Sequence, residues 1–218
     1  MVLGIEVNAN KLLFMLPKES KEQLERELEE WCQKGIRKRV KEWQQLAGWI
    51  NWSFNVFPLL QLALNNIYSN LRGKAQDAKV WANMAMKEDL LWARERMKQS
   101  DGILVLRSLS WEINEAMCVL KTDACPEGFA YWYLSSKEGF VTPTPAGMQA
   151  SSIIFYEAMV VLSALHDAHG ILPSHSKIVR YTDNFTTVAM FDSLQALPEY
   201  NCIIKVAVNI LLEGSHDL

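Results

Sequence analysis

The sequence predicts an α/β protein in two parts: a mainly helical first half entered through a β-hairpin, and a second half in which a mixed sheet is flanked by helices. Three observations carry that expectation. Apolar residues through most of the first hundred positions recur at the i, i+3, i+4 spacing of amphipathic helices. Residues 116–142 read as three short strands, with Pro126-Glu127-Gly128 supplying turn chemistry between the first two. Beyond them a helix, a strand and two further helices follow, and three hairpin-linked strands followed by α-β-α make a mixed sheet with helices on its faces.

Residues 2–7 and 12–16 alternate well enough for two strands around Asn8-Ala9-Asn10. A lone hairpin is unstable in water, so this one must lie against another element. Ser20, with Gln23 three residues on, is a capping-box pattern that starts a charged helix over 21–35, with Leu24, Leu28 and Trp31 on one face and Gly35 as its stop. Arg37-Lys38-Arg39, followed by Lys41, is the densest basic cluster. It reads either as a grip for phosphates or as a solvated basic turn. Trp43, Leu46, Trp49, Ile50 and Phe54 then recur at helical spacing, which favours a core stripe over tryptophans (Trp43 or Trp52) that stack on bases. Pro58 ends or kinks that helix, a helix over 59–71 closes at Gly73, and a helix over 77–99 stops near Asp101-Gly102. Residues 103–111 look like a connector with some strand character. This places a unit over 1–100 and a second over 112–218.

In the second unit the strands are expected at 116–123, 128–136 and 139–142, before a bend at Pro143-Thr144-Pro145. Asp123 thus falls at a strand end. A helix over 151–169 is apolar enough to be buried, yet Glu157 lies within it between Tyr156 and Ala158, and a buried acid needs a partner. Ile178, Val179 and Tyr181 form a strand, and Asp183-Asn184 opens the next helix; a last helix covers 198–214. Three carboxylates, Asp123, Glu157 and Asp183, can therefore converge, and their repulsion is tolerable when divalent cations neutralise it. Asp123 and Asp183 also have plain structural readings, as a turn cap and as a helix N-cap. His166, His169 and His175 near Asp167 invite a zinc site, but no cysteine stands at ligand spacing and such histidines more often serve as a cap and a surface pair.

With 218 residues and 50% apolar content there is chain enough for one large or two small cores. Four cysteines without a C-x-x-C pair favour free thiols and an intracellular setting. No stretch has the layout of a signal peptide or the length of a membrane span, so a soluble protein is expected. The net charge of -3 is unevenly spread: residues 1–100 carry 16 Lys and Arg against 12 Asp and Glu, whereas residues 101–218 carry 6 against 13. A basic half suits a phosphate backbone; an acidic half approaches one only with metal, although ordinary surface charge would give the same balance. There is no Gly-rich phosphate loop, nucleophile elbow or dinucleotide fingerprint.

Asp123 in TDACPEGFA, Glu157 in FYEAMVVLSAL and Asp183 in YTDN resemble, in order and spacing, the first three acids of the ribonuclease H domain of retroelement reverse transcriptases. Upstream, LGIEV at 3–7 resembles the hairpin closing a polymerase palm, LPKE at 16–19 the start of the thumb, LAGWINWSFNVFP at 46–58 the thumb-to-connection helix, and KEDLLW at 87–92 the element before the nuclease domain. The resemblance implies a thumb/connection-like region followed by a ribonuclease H-like domain. It further implies two Mg2+ or Mn2+ ions held by Asp123, Glu157 and Asp183, acting on RNA in an RNA/DNA hybrid. Arg37, Lys38, Arg39, Lys41 and Asn184 are the expected nucleic-acid contacts. The sequence departs from the pattern twice: the fingers and palm with their aspartate pair are absent, which excludes polymerase activity, and the family's fourth acid would lie beyond GSHDL at 214–218. Two expectations follow, a ribonuclease H-type hydrolase and a non-catalytic remnant that binds nucleic acid or a protein. The missing last strand would leave a sheet edge for a second copy of the chain to cover.

Overall fold

The computed structural model describes residues 4–10, 13–100, 103–104, 111–145 and 152–218, and the chain divides into two compact units, Met1–Leu109 and Ser110–Leu218. Positions 2, 3, 11 and 12 of the expected hairpin, and most of the expected connector, lie outside the described residues.

In the first unit β1 (Glu6–Asn8) and β2 (Leu13–Met15) pair antiparallel with Val7 opposite Phe14. The support that a lone hairpin needs comes from far along the chain, where Ile103–Leu104 adds a third antiparallel strand to β2. Helix α1 (Lys18–Trp31) starts two residues before the expected cap. Pro17, whose carbonyl accepts from Lys21 N at 2.9 Å, sets the start, and Ser20 lies within the first turn without capping it. Gly35, at φ +81°, turns the chain where a side chain would be strained.

The basic cluster is a strand, not a turn. β3 (Arg37–Arg39) leads into α2 (Val40–Ser53), and a 3-10 stretch over Pro58–Leu64 continues into α3 (Asn65–Leu71). β4 (Lys79–Trp81) pairs antiparallel with β3 and takes the first turn of the expected 77–99 helix, which begins instead at α4 (Met84–Gln99). Asn83 caps α4 by accepting from Met86 N at 2.8 Å. Trp43, Ile50 and Phe54 of the helical stripe are buried together with Leu24, Leu28, Leu62, Ile67, Met86, Leu90 and Met97. Trp31 meets Trp43 edge-on at 4.7 Å, and Trp43 Nε1 donates to Val80 O at 3.3 Å, so Trp43 is core.

The second unit is a four-stranded sheet. Taking the 103–104 strand as β5, β6 (Cys118–Cys125) and β7 (Gly128–Tyr133) form a tight hairpin and β8 (Gly139–Pro143) extends it. After α5 (Ile153–Ile171), β9 (Ile178–Tyr181) joins β6 in parallel, giving the order β8-β7-β6-β9. Cβ at Gly128 would stand 2.8 Å from Thr142 O, so glycine is required where β8 crosses the hairpin turn. Burial alternates along β6: Leu120, Thr122 and Ala124 face α5, while Lys121, Asp123 and Cys125 face out. Tyr133 OH donates to Asp167 Oδ2 at 2.7 Å, tying β7 to α5, and burial together with Asp167 raises the Tyr133 pKa. Helix α6 (Phe185–Ser193), a 3-10 turn over Pro198–Tyr200 and α7 (Asn201–Gly214) complete the unit. Past α7, Asp217 forms a single parallel bridge to Lys177, just before β9. No helix of the described residues is long and apolar enough to cross a membrane.

Candidate metal site

The mixed sheet has a place where two strands part. β6 and β9 run parallel as far as the Lys121–Tyr181 pair, where β9 ends and the chain turns toward α6. Backbone groups of β6 beyond that point lose the partner strand, and a buried N–H left unpaired would cost about 1–3 kcal/mol. Glu157, on the second turn of α5 and 3% exposed, fills the gap. Its Oε1 accepts from Ala124 N at 3.3 Å and its Oε2 accepts from Thr182 Oγ1 at 3.1 Å. One carboxylate thus bridges β6 to the segment leaving β9, which explains an acid on an apolar helix.

The other two acids flank it. Asp123 projects from the outer face of β6, paired with Ala130 of β7; it lies two residues inside the strand rather than at its end, because the β6–β7 ladder continues to Cys125–Gly128. Asp183 stands two residues past the end of β9, after Thr182. The N-cap of α6 is Asn184, whose Oδ1 accepts from Thr187 N at 3.0 Å, so Asp183 is not spent on capping. Asn184, expected as a nucleic-acid contact, has its carbonyl oxygen committed to the helix. One carboxylate oxygen from each of Asp123, Glu157 and Asp183 lies within 4.8 Å of the others. None of the three takes part in an ion pair among the described residues.

Burial raises the Glu157 pKa; the hydrogen bonds from Thr182 and Ala124 pull it back, and the charges of Asp183 and Asp123 push it up again. A divalent cation would reverse that balance by favouring the ionised form. The donor set is all carboxylate oxygen, which suits a hard cation such as Mg2+ or Mn2+. For an ion with Mg–O bonds of about 2.0–2.1 Å, two ligand oxygens stand at most roughly 4.2 Å apart, so these oxygens, all within 4.8 Å of one another, would draw in slightly on binding one.

Beside the acids an open groove of about 620 Å³ runs over the outer face of the sheet, lined by Lys121, Trp132 and Tyr181 as well as Asp123 and Asp183. Lys121 pairs with Trp132 on one side and Tyr181 on the other, one pleat from Asp123. Thr182, Trp132 and Tyr181 escaped sequence reasoning. The signal was the two-residue alternation, which puts Lys121 and Asp123 on one face, but cross-strand partners depend on a register that sequence does not print.

The remaining expected residues are placed as follows. Arg37 and Arg39 are exposed on β3; Lys38 Nζ stands 5.2 Å from the centre of the Trp31 ring, and Lys41 lies in the first turn of α2. All four belong to the first unit. His169 Nδ1 lies 3.1 Å from His216 Nε2, and the histidine zinc site that the sequence disfavoured is not assembled: among the described residues, the three acids are the one group of three or more metal-ligating side chains brought together. Asp217 is outside that group.

No protein-family model and no curated protein matches the chain. Among solved structures, foamy viral protease-reverse transcriptase in complex with double-stranded DNA matches at 16% identity and TM-score 0.38, over 91% of this chain and 39% of that one. A variant form of that protein, also with double-stranded DNA, matches at 15% identity and TM-score 0.35 over 97% and 35%. The same protein with RNA/DNA hybrid matches at 14% and 0.34 over 98% and 28%. The chain therefore spans well under half the length of these matches.

Proposed function

We propose that this chain binds nucleic acid through a ribonuclease H-like domain and hydrolyses the RNA strand of an RNA/DNA hybrid with divalent metal. The observation that carries the reading is the convergence of Asp123, Glu157 and Asp183 on one point, with Glu157 buried and fixed by two hydrogen bonds. The motif resemblance of the three acids supports the same class of substrate.

In this reading Asp123 and Asp183 would hold Mg2+ or Mn2+ from the solvent side and Glu157 from within. Bound divalent cations supply Lewis-acid polarisation of the phosphoryl group and a water of lowered pKa. The chain's own residues provide the rest. Thr182 and Ala124 N orient the Glu157 carboxylate, so that less ordering is left for the moment of reaction. The scissile phosphodiester, itself anionic, is repelled by three carboxylates until they are neutralised, which makes binding at this site depend on metal. Water attacks phosphorus and gives one proton to solvent, the P–O3′ bond breaks with its electron pair leaving on O3′, and O3′ takes a proton from solvent, so that a 5′-phosphate and a 3′-hydroxyl result.

The test is a titration of Mg2+ or Mn2+ into the full chain with a labelled RNA/DNA hybrid, read for binding and for cleavage, beside Asp123→Asn. Metal-dependent cleavage is expected, and its loss by more than about 100-fold in the variant, since a metal centre contributes several kcal/mol. Binding without cleavage in the wild type would replace this reading with that of a non-catalytic scaffold.

A further inference from the structure

Strands β3 and β4 present a face that the sequence concealed. Their burial alternates, with Val80 turned into the core, while Arg37, Arg39, Lys79 and Trp81 are exposed. The antiparallel register sets Arg37 opposite Trp81 and Arg39 opposite Lys79. Like charges directly across a ladder destabilise it. Neither Arg39 nor Lys79 has a carboxylate partner among the described ion pairs, and the carboxylate nearest in sequence, Glu42, turns its Oε2 to Arg39 N at 2.8 Å. The Arg37 guanidinium stands 5.3 Å from the centre of the Trp81 ring, yet Trp81 remains 56% exposed. The mount is rigid, because Trp43, wholly buried, holds Val80 O.

We infer that this face is a binding site for a single-stranded segment of nucleic acid, with phosphates on Arg37, Arg39 and Lys79 and an unpaired base on the open face of Trp81. The three cations answer the unpaired charge of a phosphate backbone, and residues two apart on a strand, about 6.6–6.8 Å, can meet successive groups of an extended polymer. The tryptophan selects the class of ligand. A base stacks on an exposed indole, whereas a duplex keeps its bases paired and offers only phosphates, and a chain of acidic residues alone has no ring to offer. Lys38, though part of the basic run, is turned to Trp31 and takes no part. This site lies in the first unit and needs no metal, so it stands or falls apart from the acids of the second.

The experiment uses the full chain in EDTA with a fluorescein-labelled 20-nucleotide oligothymidylate, followed by anisotropy across a salt series. Trp81→Ala is expected to weaken binding by about 5- to 100-fold, and Trp81→Phe to stay within about twofold. Lys79→Gln should lower the slope of log affinity against log salt by about 0.7. A 20-base-pair duplex should bind more weakly and be indifferent to Trp81→Ala. Because the assay is run in EDTA, where no metal-dependent cleavage takes place, its outcome is separate from any failure of the nuclease. Equal loss in Trp81→Phe and Trp81→Ala, no loss in either, a duplex bound as tightly as the single strand, or equal displacement by polyglutamate would each overturn the proposal.

Discussion

The two charged surfaces of this protein bring like charges together under opposite conditions. On the β3–β4 face the cations end long, exposed side chains, and water and salt screen them. At the parting of β6 and β9 the acids are short, and one of them, Glu157, is buried against an apolar helix. The lesson is that desolvation, not charge count, decides which cluster demands a counter-ion. The basic face can await its ligand at little cost; the acidic one shifts the protonation of its own central residue.

A sharper form of the contrast sets one tryptophan against another. Trp43→Ala removes a fully buried side chain and should cost about 3–5 kcal/mol in denaturant unfolding. Trp81→Ala, on the exposed face, should cost under about 1 kcal/mol, the scale of an exposed cation–π contact. Similar losses for both would mean that Trp81 is structural, and the distinction between a mounting and a presented residue would collapse.

The acidic cluster is broken by pH. Because Glu157 holds its proton to higher pH in the folded chain than in the unfolded one, the folded state binds more protons between the ordinary Glu pKa and the raised value. Stability of the metal-free protein should therefore fall as pH rises through that window. Denaturation in EDTA at a series of pH values checks the sign. Glu157→Gln should flatten the profile, and saturating Mg2+ should invert it, since the metal favours the ionised carboxylate. A wild-type profile rising through the window without metal would sink this account of Glu157.

A small effect is expected at Thr182→Val. It removes one donor to Glu157 and keeps the shape, for a loss of about 0.5–1.5 kcal/mol. It should also extend the pH window upward, because the hydrogen bond that stabilises the charged carboxylate is gone. Unchanged titration of Glu157, read by carbon-13 NMR of the labelled side chain, would show that Thr182 does not orient it.

Sequence by itself determined what rests on neighbours along the chain. The helical stripe of Trp43, Ile50 and Phe54, the aromatic hairpin of β6 and β7, and the order of Asp123, Glu157 and Asp183 follow from periodicity, turn residues and residue type. What was misread depends on partners far away. Lys79–Trp81 has a helix-like pattern but is a strand because β3, some forty residues earlier, offers it a backbone ladder. Whether Asp183 or Asn184 caps α6 was left open for a local reason: the exact start of the helix fixes which side chain reaches Thr187 N, and it is Asn184. Only tertiary structure decided that Ala124 N and Thr182 would hold Glu157, that Arg37 and Arg39 would meet Lys79 and Trp81, and that the acids would meet at all. Local preferences fix the elements; strand register and helix docking, set by non-local hydrogen bonds and burial, decide which side chains share a face.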